Sequence, residues 1–155
     1  MTVSNNQHSV LLENVYKLIN KKVDDAHASL VEKFSRLLFK NIPLDDLENR
    51  NDSDLYGATL SLWNEFAKYD GQQARIRVFN PQISRHGWQS THTIVEIIVS
   101  DMPFLVDSVR MTLNRLNITS HLLLHSPINL KRNANGDIVD FVESNSKAKN
   151  TKRET

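Results

Sequence analysis

The hydrophobic pattern of this 155-residue chain changes period once, near Asp70-Gly71. Before that point apolar residues recur at helical spacing; after it they alternate as strands do. This change places helices first and strands second, the α+β pattern. In the first part Val10, Leu11, Val15, Leu18 and Ile19 form one helical stripe, with Lys17, Asn20 and Lys21 facing elsewhere. Ala26, Leu30, Phe34, Leu37 and Leu38 form a second, which Asn41-Ile42-Pro43 ends. Asp45 and Asp46 open a short turn. Asp52 or Ser53 is expected to cap a third helix carrying Leu55, Leu62 and Phe66, with Trp63 on a neighbouring face.

The second part begins with strands. Residues Ala74 to Phe79 alternate apolar and basic side chains, and Asn80-Pro81 breaks the run. Thr93 to Val99 is rich in β-branched residues, with Glu96 the acidic exception. Asp101 then suits a helix cap and Pro103 a first turn, where its missing N–H has no helical partner anyway. The predicted helix runs to about Leu116 and turns Phe104, Leu105, Val109, Leu113 and Leu116 toward a core. Ile118 to Leu124 is a predicted strand, continued irregularly through Ile128 to Leu130. Asn133 to Asp137 is a turn, and Ile138 to Val142 the returning strand. Residues 144–155 carry no apolar anchor and are expected to be disordered. The organisation is thus a helical segment over residues 5–70, packed on a partial ferredoxin-like sheet over 74–143, followed by a tail. A ferredoxin-like unit needs one more helix and strand, so a fragment of a longer protein is expected. Its incomplete sheet leaves unpaired edges, and self-association or cover by other parts of a longer chain follows.

Composition removes several classes of function. Lys and Arg number 19 against 18 Asp and Glu, a net charge of +1, so no electrostatic case exists for a nucleic-acid or membrane partner. The basic stretches KRNANGD and KAKNTKR lack the interleaved aromatics that nucleic-acid binding uses. With no cysteine there is neither thiolate chemistry nor Cys-type zinc. The N-terminus lacks a signal-peptide pattern, and no apolar run approaches the roughly 20 residues of a membrane span, so a cytoplasmic location is expected. The sequon Asn117-Ile118-Thr119 is read as chance.

RHGWQSTHT, residues 85–93, is the stretch that most resembles an active site. His86 and His92 could act as base or ligands, but no Asp, Glu or Cys stands beside them at ligand spacing. No serine sits in a nucleophile elbow, which removes a hydrolase. The favoured reading is structural. Gly87 turns the chain, Trp88 packs its ring, and Arg85, His86, Trp88 and His92 are docking candidates toward other parts of a longer chain. His121 and His125 are spaced as metal ligands on a helix. On the predicted strand they stand about 13 Å apart at ~3.3 Å per residue, too far to share an ion. No catalytic residue and no metal site is assigned. Asp107 and Arg110 are expected to pair across one helical turn.

Two long strings carry a resemblance. Arg77-Val78-Phe79-Asn80-Pro81 leads into RHGWQSTHT, and DMPFLVDSVR follows from Asp101 to Arg110; LENRNDSDLYGATLSLW precedes them. In this order they resemble the N-terminal region of the large bacterial NAD-dependent glutamate dehydrogenases, over most of residues 30–143. The resemblance implies an ACT-like domain with a regulatory or assembly role. The parent reaction would be oxidative deamination of glutamate to 2-oxoglutarate and ammonium, with NAD as hydride acceptor. It implies that the catalytic and NAD-binding domains lie elsewhere, and four scattered glycines offer no dinucleotide fingerprint here. It also points to Asp101, Met102, Pro103 and Phe104 as a turn for an amino-acid effector. Phe104 stands where such turns carry glycine and is expected to fill the effector's space. A stand-alone amino-acid-binding module is the alternative reading.

Overall fold

The computed structural model describes residues 2–47, 50–143 and 151–155. Three helices, α1 (Thr2–Lys22), α2 (Asp25–Phe39) and α3 (Asp52–Ala67), form the first layer, with a 3₁₀ turn at Leu44–Asp46. Their stripes bury Val15, Ile19, Val31 and Phe34, all at most 1% exposed. The Phe34 ring packs between Trp63 and Phe66, with centroids 5.4 and 5.1 Å away. Burying each such side chain contributes about 1.5–3 kcal/mol. Trp63 is therefore core, while Leu62 of the expected stripe is only partly buried. The cap of α3 is Asn51, one residue before the expected Asp52; its side chain accepts from the Asp54 N–H at 2.7 Å. Among the described residues no helix is long and apolar enough to cross a membrane.

Strands β1 (Arg75–Phe79) and β2 (Ile94–Ile98) form an antiparallel ribbon with Arg77 opposite Glu96. Their connection holds a short helix, α4 (Ile83–His86). One face of the ribbon meets α3 through paired charges. Arg77 donates to Glu96 and to Ser61, and Arg75 donates to Glu65. The opposite face is aliphatic, with Ile76 across from Ile97 and Val78 across from Val95. Ile76 and Val78 are more than 60% exposed.

The C-terminal part departs from the sequence expectation in three ways. First, Asp101 does not cap a helix: α5 spans Leu105–Arg115 and starts after Phe104. Asp101 is instead drawn to a cationic neighbour, as described below. Second, α5 buries none of its residues; Phe104 is 77% and Leu116 59% exposed, although both belong to the stripe expected to face a core. Residues 118–127 form no strand: β propensity needs a neighbouring strand, and among the described residues none pairs with them. Third, the end of the expected disordered tail is ordered. β3 (Ile128–Arg132) pairs with β4 (Ile138–Phe141) on one side and with β5 (Lys152–Glu154) on the other. Residues 144–150 of that tail lie outside the described residues.

β5 is held by charge where apolar anchors are missing. Arg132 pairs with Glu154 at 2.8 Å, with side chains 3% and 1% exposed. Arg132 also donates to the carbonyls of Phe66, Ala67 and Gly136 at 2.8–3.1 Å. One guanidinium thus serves the carbonyls ending α3, the β3–β4 turn and β5. Beyond β2, Val99 and Thr155 exchange two backbone bonds of 2.9 Å, so β5 joins the ribbon to the three-stranded sheet. The core runs on beneath, through Ile98, Ile128, Leu130 and Ile138. The fold is α+β and ACT-like, with helices at the N-terminus and small antiparallel sheets behind them.

Candidate functional site

The turn from β2 to α5 lines an open cleft of about 500 Å³. Asp101, Met102, Pro103 and Phe104, the sequence-derived turn, all contribute to it. So do Asp107, His125 and Arg153, which come from α5, the loop before β3 and β5. Asp101 is the centre of charge. Its Oδ2 pairs with the Arg153 Nε at 2.7 Å, and its Oδ1 lies 3.8 Å from the His125 Nε2. Its N–H donates to the Arg153 carbonyl at 3.0 Å. The preceding Ser100 is fixed in turn, its N–H donating to the Tyr69 hydroxyl at 2.8 Å.

Phe104 does not fill this space. Its φ is 63°, the left-handed region that glycine adopts without strain, and its ring points to solvent. The backbone thus keeps the glycine-like turn with a phenylalanine in place, at a cost of about 1–2 kcal/mol. Met102 and Phe104 supply exposed apolar surface at the rim. The cleft therefore offers two carboxylates, a guanidinium and an imidazole beside apolar walls, a set that suits a small zwitterion better than a plain hydrocarbon or a polyanion.

RHGWQSTHT does not assemble as a site. Trp88 is buried, 3% exposed, against Gly57 of α3. A Cβ on Gly57 would stand 2.4 Å from the Trp88 Cβ, so only glycine lets the loop seat. The Gln89 N–H donates to the Asp54 carboxylate at 3.1 Å, a second tie to the same helix. His86 turns back on its own helix, accepting from the Gln82 N–H at 3.0 Å and stacking near Phe79. His92 meets His121 with ring centroids 4.6 Å apart, a neighbour the sequence does not indicate. Arg85 is exposed. Among the described residues no three His, Cys, Asp or Glu side chains gather where a metal ion would sit.

A second cleft, about 370 Å³, lies where the ribbon meets α3. Its charges are occupied with one another. The Arg75 guanidinium holds Glu65 below the usual carboxylate range, while burial raises Glu96 against the pull of Arg77. The cluster buttresses the ribbon. A dinucleotide does not fit the described residues. Gly57 is filled by Trp88, Gly87 and Gly136 sit in exposed turns away from any helix start, and the strand-to-helix turn carries Phe104 in place of a phosphate-binding glycine.

Sequence reasoning misses Arg153 and the Arg132–Glu154 pair, and it weighs His125 only as a metal ligand, not as a neighbour of Asp101. For Arg153 and Glu154 no local signal exists, since a charged run reads as solvated until its partner is known.

The chain is similar to known proteins over nearly this whole arrangement. The family model of the glutamate dehydrogenase ACT1 domain matches residues 34–155, from within α2 through β5. The NAD-specific glutamate dehydrogenase of Halomonas elongata is 43% identical over 113 residues, covering 73% of this chain and 7% of that protein. That of Pseudomonas aeruginosa is 42% identical over 125 residues, covering 81% of this chain and 8% of that protein. The chain therefore spans less than a tenth of the length of these relatives. No solved structure matches it. With the matched span running from α2 to the strand that completes its sheet, this chain belongs to the glutamate dehydrogenase ACT1 domain family.

Proposed function

We propose that this chain is a noncatalytic N-terminal regulatory and assembly domain of a cytoplasmic NAD-dependent glutamate dehydrogenase. Its relatives carry that name, and the oxidation of glutamate with NAD would be the work of other parts of such a protein. Assembly is the principal role. The observation that carries it is the aliphatic face of the β1–β2 ribbon, Ile76, Val78 and Val95, each at least 50% exposed among the described residues. Such a contiguous face is what subunit or domain contacts cover. Sensing of an amino acid at the Asp101–Phe104 turn is the second reading, favoured by the mixed charges of the cleft.

Calorimetry with a panel of amino acids, paired with light scattering over a range of protein concentration, separates the two. Heat from one amino acid supports sensing. Silence across the panel with growing particle mass supports assembly alone. A silent panel and a monomer at every concentration would overturn both.

A further inference from the structure

We propose that β5 is an autoinhibitory strap, and that Arg153 occupies the Asp101 carboxylate as a built-in competitor for any cation-bearing ligand of the strand-to-helix turn. The consequence for regulation rests on the effector reading above; the geometry of the strap does not.

Three observations converge on β5. Arg153 reaches Asp101 twice, by its guanidinium at 2.7 Å and by its backbone carbonyl at 3.0 Å. Its guanidinium therefore already holds one oxygen, Oδ2, of the carboxylate that an ammonium or guanidinium group of a ligand would seek, while Oδ1 faces His125 at 3.8 Å. The two residues that follow Arg153 anchor the strand. Glu154 is buried on Arg132, and Thr155 is bonded to Val99, so the strap is anchored on both sides of the sheet junction. Arg153 itself remains 56% exposed, so its bond to Asp101 is the part of the strap that a solute can contest. Parting a half-exposed pair costs little, and leaving one member of a buried pair without its partner costs much. The strap is thus built to exchange at Arg153 while staying docked through Glu154. Occupation of Asp101 by a ligand frees the Arg153 side chain; loss of the whole strap would part the two sheets.

Methylguanidinium is the probe, titrated into the full chain and into Arg153→Gln while the amide signals of Asp101 and Met102 are followed by NMR. The expected result is binding roughly threefold to fivefold tighter in Arg153→Gln, the range a half-exposed pair can impose, and none in Asp101→Asn. Equal binding in the wild type and Arg153→Gln overturns the strap, as does absence of binding in Arg153→Gln. Should Arg153→Gln not fold, hydrogen exchange in the wild type decides. The Val99, Asp101 and Thr155 amides must open together, and methylguanidinium, which displaces the Arg153 side chain alone, must leave their rates unchanged while it shifts the Asp101 and Met102 signals; independent opening, or no such shift, overturns it. Amino-acid titrations tell the two readings apart. A silent panel beside a clear methylguanidinium effect removes the effector reading alone, and an amino acid that binds both proteins equally removes the strap alone.

Discussion

Arg132 shows how one side chain can decide a junction. Its guanidinium serves three carbonyls and a carboxylate while almost wholly buried, so no water can replace it. Arg132→Met should cost about 3–5 kcal/mol, because Glu154 is left charged and unpaired inside the protein. Adding Glu154→Leu should recover part of that loss, since the orphaned carboxylate is then gone. Urea denaturation of the single and double variants measures the coupling, and additive losses would contradict the pairing. Gly57 acts by its absence of a side chain. Gly57→Ala should destabilise by about 1–3 kcal/mol through overpacking, more than alanine's helix preference of up to about 1 kcal/mol restores. Thermal unfolding gives the loss, and a red-shifted tryptophan emission would report Trp88 leaving its seat.

At the scale of elements, the ribbon is a strand pair with a charged face toward α3. Burial raises Glu96, so the folded state holds its proton above the ordinary value of 4.5. The protonated form is then bound more tightly by the folded than by the unfolded chain, and stability is lost as pH rises through that window. Glu65, lowered by Arg75, works in the opposite sense, and its contribution is lost as pH falls below the ordinary carboxylate range. Glu96→Gln should therefore gain on the wild type as pH rises from 4.5. Urea midpoints at a series of pH values check this, and a difference independent of pH would refute it. α5 is the element whose pattern misleads. Its spacing is amphipathic, and that spacing predicts the helix, but no residue of its apolar stripe is fully buried, and Leu105, Val109 and Leu113 are only half-covered. Periodicity reports which face wants cover, and only a neighbouring element can provide it.

At the scale of the whole molecule, the exposed ribbon face predicts association. Val78→Lys, placed at the middle of the aliphatic face, should lower the scattering mass of concentrated solutions without lowering thermal stability, because Val78 is 61% exposed. An unchanged mass would assign association to another surface, the α5 stripe first. The helical layer and the ribbon share one core, so this face is what remains after the chain's own elements have packed.

The pairing of the strands near 74–79 and 93–99 into a ribbon was not legible, but the sequence by itself determined those two strands, the three N-terminal helices, the Asn133–Asp137 turn and the family. Each of these is written in nearby residues: a helical stripe, an alternating run, turn residues at fixed offsets, two long strings. It also singled out the Asp101–Phe104 turn as a place to look. What the tertiary structure decided is everything that depends on a distant partner. Glu154 is buried because Arg132 waits for it, Arg153 has a partner because Asp101 faces it, and residues 118–127 form no strand where none of the described strands pairs with them. A short charged strand costs more to bury than it returns until an opposite charge, held by the rest of the fold, neutralises it. That condition is not local, so no window of sequence around Lys152–Glu154 contains it.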